Sequence, residues 1–117
     1  MLFVTYLRVS TDRQGKSGLG LEAQRKAVVD HVAGKGAIAA EYVEIESGKR
    51  SDRPQLDRAL AEAKRLGAVL LIAKLDRLAR NVAFIANLLE SGVEIAAADM
   101  PEANRFLLHV MAAVAEH

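Results

Sequence analysis

The chain has no cysteine in its 117 residues. That excludes a disulfide scaffold, zinc–thiolate centres and thiol nucleophiles. It also lacks a long apolar run: no stretch approaches the ~20 residues needed to cross a membrane, and Arg8 interrupts the early apolar segment that would otherwise resemble a leader. A charge excess is missing too, since sixteen basic residues face fifteen acidic ones for a formal net charge of +1. The whole-molecule balance therefore does not announce a polyanion partner, and any anion site must be local. These absences leave the expectation of a soluble, cytoplasmic protein of one domain, without a membrane partner. Its apolar half, 51% of residues, is enough for a modest core.

What is present is a regular change of period. The run LFVTYLRV over residues 2 to 9 reads as a first strand, and Thr11 to Gly20, rich in Gly, Ser and charge, as a long loop. From Leu21 the spacing becomes helical, with Leu21, Ala27, Val28 and Val32 as the inward stripe and an end near Gly34 or Gly36. Ile38 to Ile45 is a second strand and Glu46 to Arg53 a polar loop. Pro54 opens a helix with Asp52 or Arg53 as its cap and Leu56, Leu60 and Ala63 facing inward, stopped by Gly67. AVLLIAK, residues 68 to 74, is a strand apolar enough to be covered on both faces. A third helix follows from about Leu78 to Ser91, then a fourth strand from Val93 to Ala98. This alternation predicts an α/β fold of three layers, a mostly parallel central sheet flanked by helices.

Such sheets place chemistry at the carboxyl ends of their strands, where this chain concentrates its polar residues. Arg8 and Ser10 close the first strand, two apart and so on one face, about 6.6 Å from each other. Arg50, Asp52 and Arg53 follow the second strand. The third runs into Lys74-Leu75-Asp76-Arg77-Leu78-Ala79-Arg80, in which Arg77 and Arg80 project together near a helix N-terminus. The helix dipole does nothing for their own charges, so two guanidinium groups there point to an external anion, with Asp76 able to orient one of them.

No histidine is placed to activate Ser10: His31 is in the first helix, His109 in the last and His117 at the end. Without a G-x-S-x-G turn either, a Ser-His-Asp hydrolase is disfavoured. Gly15-Lys16-Ser17 lacks the upstream glycine of a phosphate-binding loop, and no His-and-carboxylate spacing makes a metal site. The remaining chemistry is attack by Ser10 on a phosphodiester. Arg8, Arg53, Arg77 and Arg80 would then neutralise the oxygens in place of metal ions and ease loss of the serine proton. Each residue has a plainer reading when taken alone. Ser10 is then a turn residue, KLDRLAR a salt-bridged first turn, Gln24 a solvated helix residue, and Tyr6 a core ring with a wet hydroxyl. Asp52, Asp57 and Arg58 read as helix surface or caps.

The segments YLRVSTDRQ, LEAQR, SGKRSDRPQLDRAL and KLDRLARN, in this order, resemble the catalytic domain of the serine recombinases, the resolvase and invertase family, over almost the whole chain. The resemblance implies that Ser10 is a nucleophile forming a covalent 5′-phosphoserine link to a cut DNA strand and freeing a 3′ hydroxyl. Strands would be rejoined after subunit rotation within a tetramer, with no metal, nucleotide or other cofactor. Carried over residue by residue, the family's site falls on Tyr6, Arg8, Ser10, Gln24, Arg53, Asp76, Arg77 and Arg80, with Gln14 peripheral. Asp76 is either a general acid for the leaving 3′ oxygen or a holder of arginine. Two other classes share parts of the pattern. A signalling domain of doubly wound type would show acidic residues at the first and third strand ends, and a phosphatase or nuclease would use the same anion pocket with water as acceptor.

From Asn104 to His117 the segment NRFLLHVMAAVAEH is helical in pattern and apolar around most of its circumference, which predicts cover by another subunit. By resemblance it is the start of a long oligomerisation helix that forms the homodimer and leads toward a DNA-binding module. No helix-turn-helix or zinc ribbon is legible before His117. The expectation is accordingly that residues 1 to 117 alone bind DNA weakly and do not complete recombination.

Overall fold

The computed structural model describes residues 1–10, 20–46, 54–74 and 82–99; for Ser10, Glu46 and residues 82–85 it describes the backbone alone. The elements are β1 (Leu2–Ser10), α1 (Leu21–Val32), β2 (Ala37–Glu46), α2 (Pro54–Leu66), β3 (Val69–Ile72), α3 (Val82–Glu90) and β4 (Ile95–Ala97). The segment from Asn104 to His117, with its expected subunit interface, lies outside the described residues, as do the loops 11–19 and 47–53 and the KLDRLAR segment beyond Lys74.

All pairings among the described strands are parallel, and their order is β2-β1-β3-β4. The chain moves outward from β1 to β2, then crosses back over β1 to β3. With right-handed crossovers these two steps put α1 and α2 on opposite faces of the sheet. Two apolar clusters record the result. Val4, Tyr6, Leu70 and Ile72 pack with Leu56, Ala59, Leu60 and Ala63 of α2 and with Leu88 of α3. Phe3, Leu7, Val69 and Leu71 belong to the other cluster, with Val28 and Val32 of α1. The expected three-layer architecture is what forms.

The sequence periods explain why. VLLI in β3 is buried at every position because helices or chain cover both of its faces. In α2 the inward stripe is Leu56, Ala59, Leu60 and Ala63, as the helical spacing demands. That helix ends where Gly67 takes φ +65°, and the Ala68 N–H donates to the Ala63 carbonyl at 2.8 Å, a closure that needs a left-handed residue. β4 is shorter than the strand expected over Val93 to Ala98. In α1 the stripe differs from expectation: Val28 and Val32 are buried, Leu21 and Ala27 only partly so, and the third buried position is Gln24.

The change of direction in strand order falls between β1 and β3. In an open parallel sheet, the crevice outside the carboxyl ends of two such strands is where ligands bind. Ser10 ends β1 and Lys74 follows β3, so the fold brings the first and third strand ends to this switch point.

Candidate active site

β1 lies between β2 and β3, yet its two neighbours do not run the same length beside it. Its register with β2 extends to the Ser10–Glu46 pair, whereas β3 pairs only as far as Tyr6–Ile72, followed by a bond from the Ala73 N–H to the Tyr6 carbonyl at 3.0 Å. Beyond that point β1 presents backbone polar groups on its β3 side. Gln24, reaching over from α1, takes them up. The Arg8 N–H donates to Gln24 Oε1 at 3.0 Å, and Gln24 Nε2 donates to the Arg8 carbonyl at 2.7 Å.

The amide thus substitutes for a strand, matching one donor and one acceptor with one of each. Gln24 is 3% exposed, which corrects its reading as a solvated helix residue. A buried amide is tolerated there because both its polar ends are paired. Its effect is to fix the backbone of Arg8, two residues ahead of Ser10.

On the opposite face of the sheet, the side of α2, a second polar group is buried. Glu44 lies directly across from Arg8 in the β1–β2 register and is 5% exposed. Its Oε1 accepts the Tyr6 hydroxyl at 3.2 Å, the Gln55 N–H at 3.1 Å and the Leu56 N–H at 3.2 Å. The last two are otherwise unsatisfied donors of the first turn of α2, so Glu44 caps that helix from a neighbouring strand. The positive end of the helix and three donors together compensate a carboxylate that burial would otherwise penalise.

Tyr6 is therefore not a ring with a wet hydroxyl: it is fully buried, and its OH is committed to Glu44. Glu44 itself escaped the sequence reading. The signal was present in the period of two, since Ala40 and Tyr42 face the α2-side cluster and the next residue of that face is an acid. A charge on the buried face of a strand requires partners.

The structure thus brings together four of the eight residues picked from sequence. Tyr6 and Arg8 sit on β1, Gln24 holds Arg8, and the backbone of Ser10 ends the strand opposite Glu46. Arg53 directly precedes Pro54, the first residue of the helix that Glu44 caps, but Arg53 itself lies outside the described residues, as do Asp76, Arg77, Arg80 and Gln14. Of the surface readings, Asp57 and Arg58 are exposed on α2 as expected, and Asp52 is outside the described residues. Among the described residues no three His, Asp or Glu side chains cluster as a metal ion would require. No described helix is long and apolar enough to span a membrane.

Taken together, the described part of the site is a strand end whose backbone is clamped from one face and whose side-chain row is tied to a helix N-terminus on the other. Such a frame suits a reaction that needs fixed donors around an anion more than one that needs a mobile base.

The family model described as the resolvase N-terminal domain matches residues 3–117. The serine recombinase gin of Escherichia phage Mu is 35% identical over 98% of this chain and 58% of its own length. A resolvase of Escherichia coli is 40% identical over 64% of this chain and 32% of its own. The chain thus spans less than two thirds of these curated relatives. Among solved structures, a resolvase family site-specific recombinase from Streptococcus pneumoniae superposes with a TM-score of 0.66 at 26% identity, covering 99% of this chain and 86% of that one. The N-terminal catalytic domain of TP901-1 integrase superposes with a TM-score of 0.70 at 20% identity, covering 99% and 95%, and speaks for the fold alone.

Proposed function

Because the chain belongs to the resolvase family of serine recombinases and matches its N-terminal domain, we propose that it is the catalytic part of a site-specific DNA recombinase with Ser10 as nucleophile. The Ser10 oxygen attacks the scissile phosphorus and the 3′ oxygen departs with a proton, leaving a 5′-phosphoserine link. A 3′ hydroxyl from the partner strand then attacks the same phosphorus and releases Ser10. The energy of the broken phosphodiester is kept in the link, so no cofactor is required by the balance of bonds.

Arg8, Arg53, Arg77 and Arg80 are assigned to the phosphate oxygens, where planar forks match the geometry of the transition state. Asp76 either protonates the leaving oxygen or orients an arginine. Gln24 and Tyr6 are positioning residues in this reading. One observation carries it most directly: Gln24 clamps the backbone of Arg8 where β3 no longer pairs, two residues before Ser10 at the switch point of the sheet. Clamping fixes a cation beside the strand end, which is what charge stabilisation without reorganisation demands.

DNA is the proposed substrate, and the apolar pattern of Asn104 to His117 supports a homodimer contact there, with a tetramer at synapsis. Solution mass measured against concentration tests the contact, and a strictly monomeric full-length protein at high concentration would count against it.

The decisive experiment incubates the full-length protein with DNA carrying its crossover site, denatures, and locates any covalent adduct by peptide mass. An adduct on Ser10 that disappears in Ser10→Ala supports recombination; turnover of the phosphodiester without an adduct would replace it with a hydrolase. Arg8→Ala is expected to lower adduct formation by about 100-fold or more, the scale set by loss of one transition-state donor. Arg8→Lys restores it only in part, having the charge without the fork.

A further inference from the structure

Helix α1 is anchored unevenly along its length. Its second half is seated by Val28 and Val32 in the cluster with Phe3, Leu7, Val69 and Leu71, and by His31 set edge-on against Phe3. Its start has less to hold it: Gly20 at the N-cap supplies no side-chain hydrogen bond, and Leu21 is only partly buried. Helix ends held in this way fray. Yet Gln24, close to that start, meets the Arg8 backbone at 3.0 and 2.7 Å, and a shift of about 1 Å would carry both contacts beyond hydrogen bonding.

The next residue along the helix supplies the hold. Gln24, Val28 and Val32 face the sheet, whereas Arg25, one step round the helix, reaches sideways to β2. Its Nε donates to Glu41 Oε1 at 3.1 Å and its Nη2 to Glu41 Oε2 at 3.0 Å, a forked ion pair. Glu41 shares a sheet face with Val43, which packs against the α1-side cluster. The register sets Glu41 beside Thr5 and Glu44 beside Arg8, so β2 carries this carboxylate in step with the strand that Gln24 clamps. Three links therefore close a ring: β1 to β2 by the ladder, β2 to α1 by the ion pair, and α1 back to β1 by the carboxamide.

An ion pair so placed orients more than it stabilises. Its side chains are 49% and 33% exposed, and exposed pairs contribute little to folding. The forked geometry nevertheless fixes direction as well as distance. We propose that Arg25 and Glu41 are positioning residues of this site, holding the start of α1 where Gln24 stays on the Arg8 backbone. The proposal rests on the recombinase reading above. In this role neither residue touches the scissile phosphate, and no proton or covalent step passes through them.

The test uses the full-length protein with a saturating amount of DNA carrying its crossover site. Single-turnover formation of the Ser10 adduct is expected to slow by about 10-fold to 100-fold in Arg25→Glu and in Glu41→Arg, the scale set by misplacing a reacting group by about 1 Å. The double variant, in which the two charges are exchanged, should return to within a few-fold of wild type. In a Gln24→Leu background Arg25→Glu should add less than about 2-fold, because the pair acts through that amide. A second readout needs no DNA: hydrogen exchange at the Arg8 amide, whose proton Gln24 accepts, should quicken in both single variants and recover in the double. An unchanged rate, a loss that exchanging the charges does not restore, a full Arg25→Glu effect on top of Gln24→Leu, or unaltered Arg8 exchange would overturn the assignment while a wild-type Ser10 adduct left the recombinase reading intact. Absence of the wild-type adduct would overturn that reading, and Arg8 exchange would then still decide whether the pair holds the clamp.

Discussion

The carboxamide of Gln24 closes two hydrogen bonds on the backbone of Arg8, at 3.0 and 2.7 Å, in the place where a third strand would otherwise run. Sixteen residues separate the two positions in sequence, and the pairing joins helix α1 to the end of strand β1. A side chain therefore completes the sheet beside the proposed nucleophile.

Gln24→Leu preserves bulk but takes the amide partner away from an N–H and a carbonyl of Arg8 in a part-buried place. A loss of about 1–3 kcal/mol in unfolding free energy is expected, read by urea denaturation. Gln24→Glu is expected to be at least as damaging, since a carboxylate keeps the acceptor but turns an oxygen toward the Arg8 carbonyl. Adduct formation should fall in both variants by more than stability does, because Arg8 loses its fixed backbone. Wild-type stability in Gln24→Leu would show that the clamp contributes nothing.

Glu44 ties Tyr6 to the first turn of α2, and its removal takes an acceptor from three buried or part-buried donors. Glu44→Ala is expected to cost about 2–4 kcal/mol, combining loss of a helix cap with unsatisfied donors. The local signature is faster hydrogen exchange at the Gln55 and Leu56 amides relative to the rest of α2. Tyr6→Phe removes only one of the three bonds and should cost about 1 kcal/mol. Uniform acceleration along all of α2 in Glu44→Ala would argue against a cap.

At the other end of the sheet, Gly36 passes so close to the start of β1 that an added β-carbon would land on the Met1 carbonyl oxygen, and the neighbouring Ala37 N–H donates to that oxygen at 3.0 Å. Both contacts involve backbone, which has little room to yield. Gly36→Ala is expected to destabilise by about 1–3 kcal/mol, the range for overpacking, and to shift the melting temperature down accordingly. A neutral or stabilising Gly36→Ala would show that the strand start moves freely.

His31 packs edge-on against the buried Phe3, with ring centroids 6.3 Å apart and planes at 84°. Burial, and after it the charge of Lys35, hold its imidazole below the ordinary value of 6.5. The unfolded chain consequently takes up a proton before the folded one does. The contribution of His31 to stability is full above about pH 6.5 and is lost as pH falls from there through the lowered folded value. Melting temperature should accordingly rise from pH 5 toward pH 7 by more in wild type than in His31→Leu, and Lys35→Ala should raise the His31 titration midpoint observed by NMR. An identical pH profile in His31→Leu would remove this residue as a cause.

Residues read correctly from sequence were those whose role follows from a local period. Leu56, Leu60 and Ala63 were legible because helical spacing places them on one face regardless of what covers it, and AVLLIAK because a strand apolar throughout needs cover on both sides. Gln24 and Tyr6 entered the candidate site only by resemblance, and their plainer readings missed the buried hydrogen bonds, because a glutamine on a helix and a tyrosine on a strand carry no local mark of a buried partner. Glu44 was overlooked for the same reason, although alternation along β2 placed it on a buried face.

The amino-acid sequence by itself determined the alternation of strands and helices, the faces they bury, and the gathering of Arg8, Ser10 and Lys74 at strand ends, because hydrophobic period is a property of neighbours along the chain. Only the tertiary structure decided that β1 lies beside β3, that β3 stops short of Arg8, and that a glutamine and a glutamate from separate elements satisfy the groups left open. A buried polar group pairs with whatever donor or acceptor the fold carries past it, and that choice is made in space between residues as far apart as Tyr6 and Glu44.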